Sequence, residues 1–226
     1  MSGLDPLLLL RGYAAGIFPM ADSRKADDVF WVEPRTRAIL PLDQVHLSRS
    51  LARRLRSGRF RVTLDTAFEQ VVLACAARDE TWINDSIERA TLGLHAAGHA
   101  HSVEVWLGDA LVGGLYGVKL GGAFFGESMF SRESDASKVA LAWLIARLKA
   151  GRFGLLDCQF ITGHLASLGA VTVKRDAYVR LLGSALGTTT DFFALDGLLG
   201  EAASGVGGDS PGASGQRIVQ LLTHTS

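Results

Sequence analysis

Apolar positions along the chain change spacing several times, and each change marks an element. Leu47, Leu51 and Leu55 recur at helical spacing, Ser48 stands where an N-cap belongs, and Arg49, Arg53 and Arg56 share the opposite face. This predicts an amphipathic helix over Ser48 to Arg56. The chain up to about Leu64 otherwise reads as irregular. Tyr13 to Met20 suggests a helix end, a break at Gly16 and an aromatic-proline turn, and Phe30-Trp31-Val32 a short strand closed by Glu33-Pro34.

From Asp65 the pattern is that of a mixed α/β domain. Ala67 to Arg78 and Ile87 to Ala97 predict helices, the second stopped by Gly98. His101 to Leu107 alternates as a strand, with Ser102, Glu104 and Trp106 on one face. The turns Gly108-Asp109 and Lys119 to Gly122 then give an antiparallel meander with Ala110 to Val118 and Ala123 to Phe130. Ser137 to Leu148 predicts a helix, Gly154 to Ile161 a central strand, and Leu165 to Leu168, Ala170 to Val173 and Asp176 to Leu182 a helix, a strand and a helix. Gly200 to Gly215 is rich in Gly, Ser and Ala and reads as a mobile tail.

Composition narrows the class. Hydrophobic residues make up 48% of 226 positions, enough for a substantial core. The early run Leu7 to Leu10 is stopped by Arg11, too short to cross a bilayer, and Asp5 argues against a secretory signal. Cys75 and Cys158 make no disulfide framework. A cytoplasmic, membrane-free protein is expected, with a monomer as the default. Formal net charge is zero, which hides a cluster: His46 to Arg61 holds Arg49, Arg53, Arg54, Arg56, Arg59 and Arg61 and no acid. Such a local cluster can attract phosphate in a neutral protein.

Asp157-Cys158-Gln159 places a carboxylate and a carboxamide at the end of an apolar strand, where period-two geometry puts both on one face and Cys158 on the core side. Either a functional pair or a structural hydrogen-bond network satisfies that pattern. Glu127, in Gly126-Glu127-Ser128-Met129-Phe130, reads as a carboxylate after a glycine that admits a ligand, or as a surface residue at a strand end. Trp82 lies in a loop and is either a core edge or a stacking surface. His95, His99 and His101 are close in sequence, but Gly98 breaks the helix that would make the spacing suit a metal. A Cys158/His164 nucleophile pair is weakened by the core-facing direction of Cys158. Neither metal nor covalent catalysis is expected.

These stretches, in this order, resemble the leucyl/phenylalanyl-tRNA–protein transferase family. The matching residues are Tyr13 to Pro19, Trp31 with Pro34 and Arg37, and His46 to Ser50. They continue with Thr81 to Ile83, His95 with Gly98 to Trp106, Leu111 to Val118, Gly126 to Ser131 and Ala136 to Lys138. Asp157 to Gln159 and His164 with Ser167 to Ala170 complete the set. The resemblance implies an α+β fold: a small N-terminal domain (1–64), a domain with a mixed sheet and flanking helices like the GCN5-related acyltransferases (65–195), and the tail (196–226). It implies transfer of Leu or Phe, less readily Met, from aminoacyl-tRNA to proteins with N-terminal Arg or Lys, marking them for degradation, with no cofactor.

By the same resemblance Asp157, Gln159 and Glu127 are the catalytic group. Gln159 would contact the attacking amine through its amide oxygen, Asp157 would polarise it and relay the proton, and Glu127 would hold an ammonium group. Leu115, Phe124, Met129, Leu141, Leu144, Leu148 and Leu156 would form the aminoacyl pocket, although spacing alone makes them ordinary core residues. Trp82, Tyr13 and Met20 would meet adenosine, and Arg49, Arg53, Arg54 and Arg56 the acceptor stem. Family members often carry tryptophan where Met20 and Val32 stand. Two rivals are an acyl-CoA acyltransferase, whose pyrophosphate loop has its one match at Arg180 to Ala185, and a non-catalytic tRNA-binding module.

Overall fold

In the computed structural model, which describes residues 4–203 and 212–223, a seven-stranded sheet carries helices on both faces. Helix α1 (Pro6–Ala14) opens the chain. Asp5 caps it by accepting from the Leu7 N–H, and Pro6 at its start costs no hydrogen bond. Strands β1 (Phe18–Met20) and β2 (Phe30–Val32) pair antiparallel, so the aromatic-proline stretch expected as a turn is extended instead.

Next come β3 (Thr36–Ile39), α2 (Arg49–Arg56), β4 (Arg61–Leu64), α3 (Phe68–Ala76) and α4 (Asp85–Ala96). The meander is β5 (Ala100–Leu107), β6 (Ala110–Leu120) and β7 (Ala123–Ser131). It is followed by α5 (Ala136–Ala150), β8 (Leu155–Gln159), α6 (Gly163–Ala166), β9 (Val171–Lys174), α7 (Arg175–Leu186), α8 (Ala194–Ala203) and α9 (Ala213–Thr223). The sheet order is β4-β5-β6-β7-β8-β3-β9.

Two differences from the sequence reading have plain physical causes. The large sheet takes strands from both sides of residue 64, since β3 and β4 belong to it together with β5 to β9. A part-buried polar clasp also joins β4 and the turn after it to β5, with Thr63 and Thr66 hydroxyls donating to the Glu104 carboxylate at 2.6 and 3.1 Å. These strands are too short and too polar to show period-two alternation. The second difference is the tail. Within the 196–226 tail, but mostly beyond the Gly200 to Gly215 stretch that composition marks as mobile, α9 is a packed helix with Ile218, Val219 and Leu222 buried against α2 and α5. Part of Gly200 to Gly215 lies outside the described residues.

Strands β7 and β8 are the parallel neighbours in the sheet, and they set the site. They pair only from Ala123↔Leu155 to Phe125↔Asp157. Beyond that point β7 stays with β6, while β8 follows β3, with Gln159 opposite Ala38. The divergence opens a gap through the sheet. One apolar cluster, containing α5, α2 and α9, lies on one face, and another, containing α1, α3, α4 and α7, lies on the other.

Candidate active site

A cavity of about 720 Å³ fills the gap and reaches both faces, within the range usual for small-molecule sites. Ala74, Ala77, Arg78 and Trp82 wall it on the α3 side, and Ser137, Leu141 and Leu144 on the α5 side. Glu127 and Gln159 face it from the two diverging strands, and the Gln159 Nε2 donates to Glu127 Oε1 at 2.9 Å.

Each of these two side chains is aimed by a local irregularity. In the β6–β7 register Gly117 faces Gly126 and Tyr116 faces Ser128, leaving Glu127 as the extra residue of a bulge. Bulges re-aim side chains in this way. Gln159 has φ +59°, in the left-handed region that a non-glycine residue enters at a cost. This turn breaks the strand's alternation. Cys158 and Gln159 both line the cavity, while Asp157 lies behind it, fully buried.

Asp157 is the anchor. Arg37 Nε lies 2.9 and 3.0 Å from its two oxygens, Arg37 Nη2 donates at 2.7 Å, and the Tyr178 hydroxyl donates at 2.7 Å. Its Oδ1 also accepts the main-chain N–H of Gln159 at 2.8 Å. Arg37 is itself buried and lies over the rings of Phe18 and Tyr178. The carboxylate thus fixes the Gln159 backbone rather than its carboxamide, and the expected side-chain relay from Asp157 has no hydrogen bond to travel through.

Burial pushes the Glu127 pKa up to about 8, with Asp157 adding to the rise while Tyr13, Arg37 and Gln159 oppose it. Near neutral pH such a rise favours the protonated carboxyl, and a positive charge beside it works in the opposite direction.

Five of the seven expected pocket residues, Leu115, Met129, Leu141, Leu144 and Leu156, line the cavity. Phe124 and Leu148 do not; both are fully buried in the core behind it, Phe124 stacked on Phe192. Trp82 lines it, half-buried. Tyr13 is only 2% exposed, with its ring on Phe125 and its hydroxyl engaged with Glu127, so it offers no face to a nucleobase. Met20 packs half-buried against the second cluster, away from the cavity lining. Cys158 packs against the core cluster, as expected, and also borders the cavity; burial raises its pKa, which keeps the thiol protonated and a poor nucleophile.

Residues that the sequence reading did not select also meet here: Arg37 and Tyr178 behind Asp157, and Tyr116, Arg78, Phe160 and His164 in the lining. Arg37 directly precedes the apolar Ala38-Ile39-Leu40, a local hint of a buried partner. The others carry no such mark. His95 stacks on Phe68, and its Nδ1 lies 2.8 Å from the Ala100 carbonyl oxygen. His101 pairs with Asp65 at 2.7 Å.

The arginine helix stands beside the cavity rim. Arg54 pairs with Asp135 at 3.5 Å and Arg59 with Glu133 at 2.8 Å, on the loop between the lining residues Arg132 and Ser137. Arg56 donates to Gln216 of α9 at 2.8 Å. Arg49 and Arg53 are exposed, with no acid in ion-pair contact among the described residues. Arg180 to Ala185, the match to a pyrophosphate loop, lies inside the continuous helix α7 and has no loop to offer.

Comparison with known proteins decides the family. Residues 39–183 match the model described as leucyl/phenylalanyl-tRNA protein transferase, and residues 3–35 match the model of its N-terminal domain. The chain belongs to the leucyl/phenylalanyl-tRNA–protein transferase family. It is 59% identical to the transferase of that name from Rhizorhabdus wittichii, with 100% of each chain covered. It is 51% identical to the one from Novosphingobium aromaticivorans over 99% of this chain and 97% of the other. One from Cereibacter sphaeroides is 62% identical over 84% of this chain and 88% of its own. The chain is accordingly an aminoacyltransferase. Helices α8 and α9 lie outside both matched segments. Among the described residues no helix is long and apolar enough to cross a membrane.

Proposed function

We propose that this aminoacyltransferase moves Leu or Phe, and less readily Met, from charged tRNA to the N-terminal Arg or Lys of an acceptor protein, marking it for degradation. One observation carries the reading: the hydrogen-bonded Glu127–Gln159 pair faces a single cavity that is walled by apolar side chains of β6, β7, α5 and β8 and also by Trp82. The donor side chain enters between Leu115, Met129, Leu141, Leu144 and Leu156. Such a pocket tolerates Leu, Phe and Met together, since a methylene there is worth only about 1–3 kcal/mol. Trp82 stacks on the terminal adenosine, and the α2 arginines, Arg49 and Arg53 first, meet acceptor-stem phosphates.

Gln159 Nε2 is taken by Glu127, which leaves its Oε1 to accept an N–H of the attacking amine. Glu127, ionised by the cation it meets, holds the donor α-ammonium. Asp157 positions Gln159 through the main chain. The amine nitrogen bonds to the acyl carbon, the ester C–O bond breaks, and the ribose oxygen leaves with the amine's proton. An N-terminal amine has a pKa of about 7.7–8.0, so enough is neutral near pH 7 to attack an activated ester. The divergence of the parallel β7–β8 pair supports kinship with the GCN5-related acyltransferase fold. We infer a cytoplasmic monomer.

The test is incubation of the protein with Phe-tRNA or Leu-tRNA and a peptide beginning with Arg, with phenylacetyl-CoA as the alternative donor. Extension of the peptide from tRNA and not from the thioester is expected. Extension from the thioester alone would overturn the proposal.

A further inference from the structure

Four buried side-chain polar atoms lack a hydrogen-bond partner among the described residues: Arg54 Nε, His101 Nε2, Tyr116 Oη and His164 Nε2. Of these, only Tyr116 belongs to a side chain that is wholly buried and lines the cavity. Its position is fixed by the sheet, since Tyr116 faces Ser128 across the bulge that holds Glu127, and its ring meets Phe68 edge-on. A buried hydroxyl without a partner costs stability, and such groups mark places where a ligand completes the bonding.

Tyr116 is a donor with nothing to donate to. Burial, and then the nearby Glu127, raise its pKa well above the ordinary value, so the hydroxyl keeps its proton. Glu127 takes the donor α-ammonium in the function proposed above, on which this inference rests. In an α-amino ester the carbonyl carbon is bonded directly to the amine-bearing carbon, so a donor beside Glu127 lies near the reacting carbonyl. We propose that the Tyr116 hydroxyl hydrogen-bonds the acyl carbonyl oxygen of the charged tRNA and stabilises the oxyanion as the amine attacks. The bond is weak to the neutral carbonyl and strong to the developing oxyanion, which places its effect on turnover rather than on donor binding.

The test compares wild type with Tyr116→Phe in single-turnover transfer from Phe-tRNA to a peptide beginning with Arg, alongside thermal melting. The rate at saturating donor should fall about 10²-fold, with KM for charged tRNA nearly unchanged. The melting temperature should hold or rise, because the substitution removes an unpartnered hydroxyl and keeps the ring. With 3-fluorotyrosine at position 116 the rate should stay within several-fold of wild type, since a phenol donor is present, while phenylalanine cannot restore it. An unchanged rate in Tyr116→Phe, a loss confined to KM, or a melting temperature lower by more than about 3 °C would overturn the inference. No transfer by wild type would instead sink the proposed function on which it rests.

Discussion

The corner behind the cavity and the α2–α9 face handle charge in opposite ways. Behind the cavity, Arg37 and Asp157 are about fully buried, and the carboxylate is held by a guanidinium, a phenol and a main-chain N–H. The Arg37 and Tyr178 bonds reach across 120 and 21 residues, and together with the local Asp157–Gln159 bond they fix one backbone conformation at Gln159. On α2, Arg49 and Arg53 stand in solvent, and the helix is tethered at its flanks by Arg54, Arg59 and Gln216. The difference teaches where geometry matters. A group that meets a reacting atom needs a rigid support, whereas phosphate contacts position a long ligand and tolerate mobile side chains.

Four variants sharpen the contrast, the largest effect first. Arg37→Ala leaves Asp157 buried without its cation, and denaturant unfolding should show a loss of about 3–5 kcal/mol. Glu127→Gln reads the raised carboxyl. The folded pKa of about 8 lies above that of an unfolded glutamate, so the native state binds more protons between the two values. Wild-type stability relative to Glu127→Gln should therefore fall as pH rises from about 4.5 to 8, by a few kcal/mol in all. It should be level outside that window; a flat difference throughout would mean the carboxyl is not shifted upward.

Gly215→Ala tests the α9 face. An added Cβ would sit 1.9 Å from the Leu55 carbonyl oxygen, so α9 must move off α2. Melting should register about 1–3 kcal/mol of overpacking. Smallest in stability is the Arg49→Ala, Arg53→Ala pair, within about 0.5 kcal/mol of wild type. Its effect belongs in tRNA binding, where the slope of log affinity against log salt should shrink by about 1–2 while the preference for Leu, Phe and Met stays unchanged.

The same contrast explains what could be read from sequence. The α2 helix was legible because its apolar and basic stripes are local, and so was the meander, whose Gly-containing turns and alternation are local as well. Five of the aminoacyl pocket residues came from family resemblance, since spacing alone cannot tell lining Leu141 from buried Leu148 on the same helix. What pattern could not give is long-range: the pairing of β3 with β8 and β9, the docking of α9, and the Arg37–Asp157 bond across 120 residues. Period-two reasoning placed Asp157 beside Gln159. It failed because the left-handed turn at Gln159, held by Asp157 itself, cancels the alternation on which it depends.

The central claim is that Gln159, held by a buried support, takes the attacking amine. Single-turnover transfer from Phe-tRNA to a peptide beginning with Arg, compared between wild type and Gln159→Ala at saturating tRNA, tests it most directly. The account predicts a rate lower by about 10²-fold or more with tRNA affinity retained. Equal rates in the two proteins would contradict it.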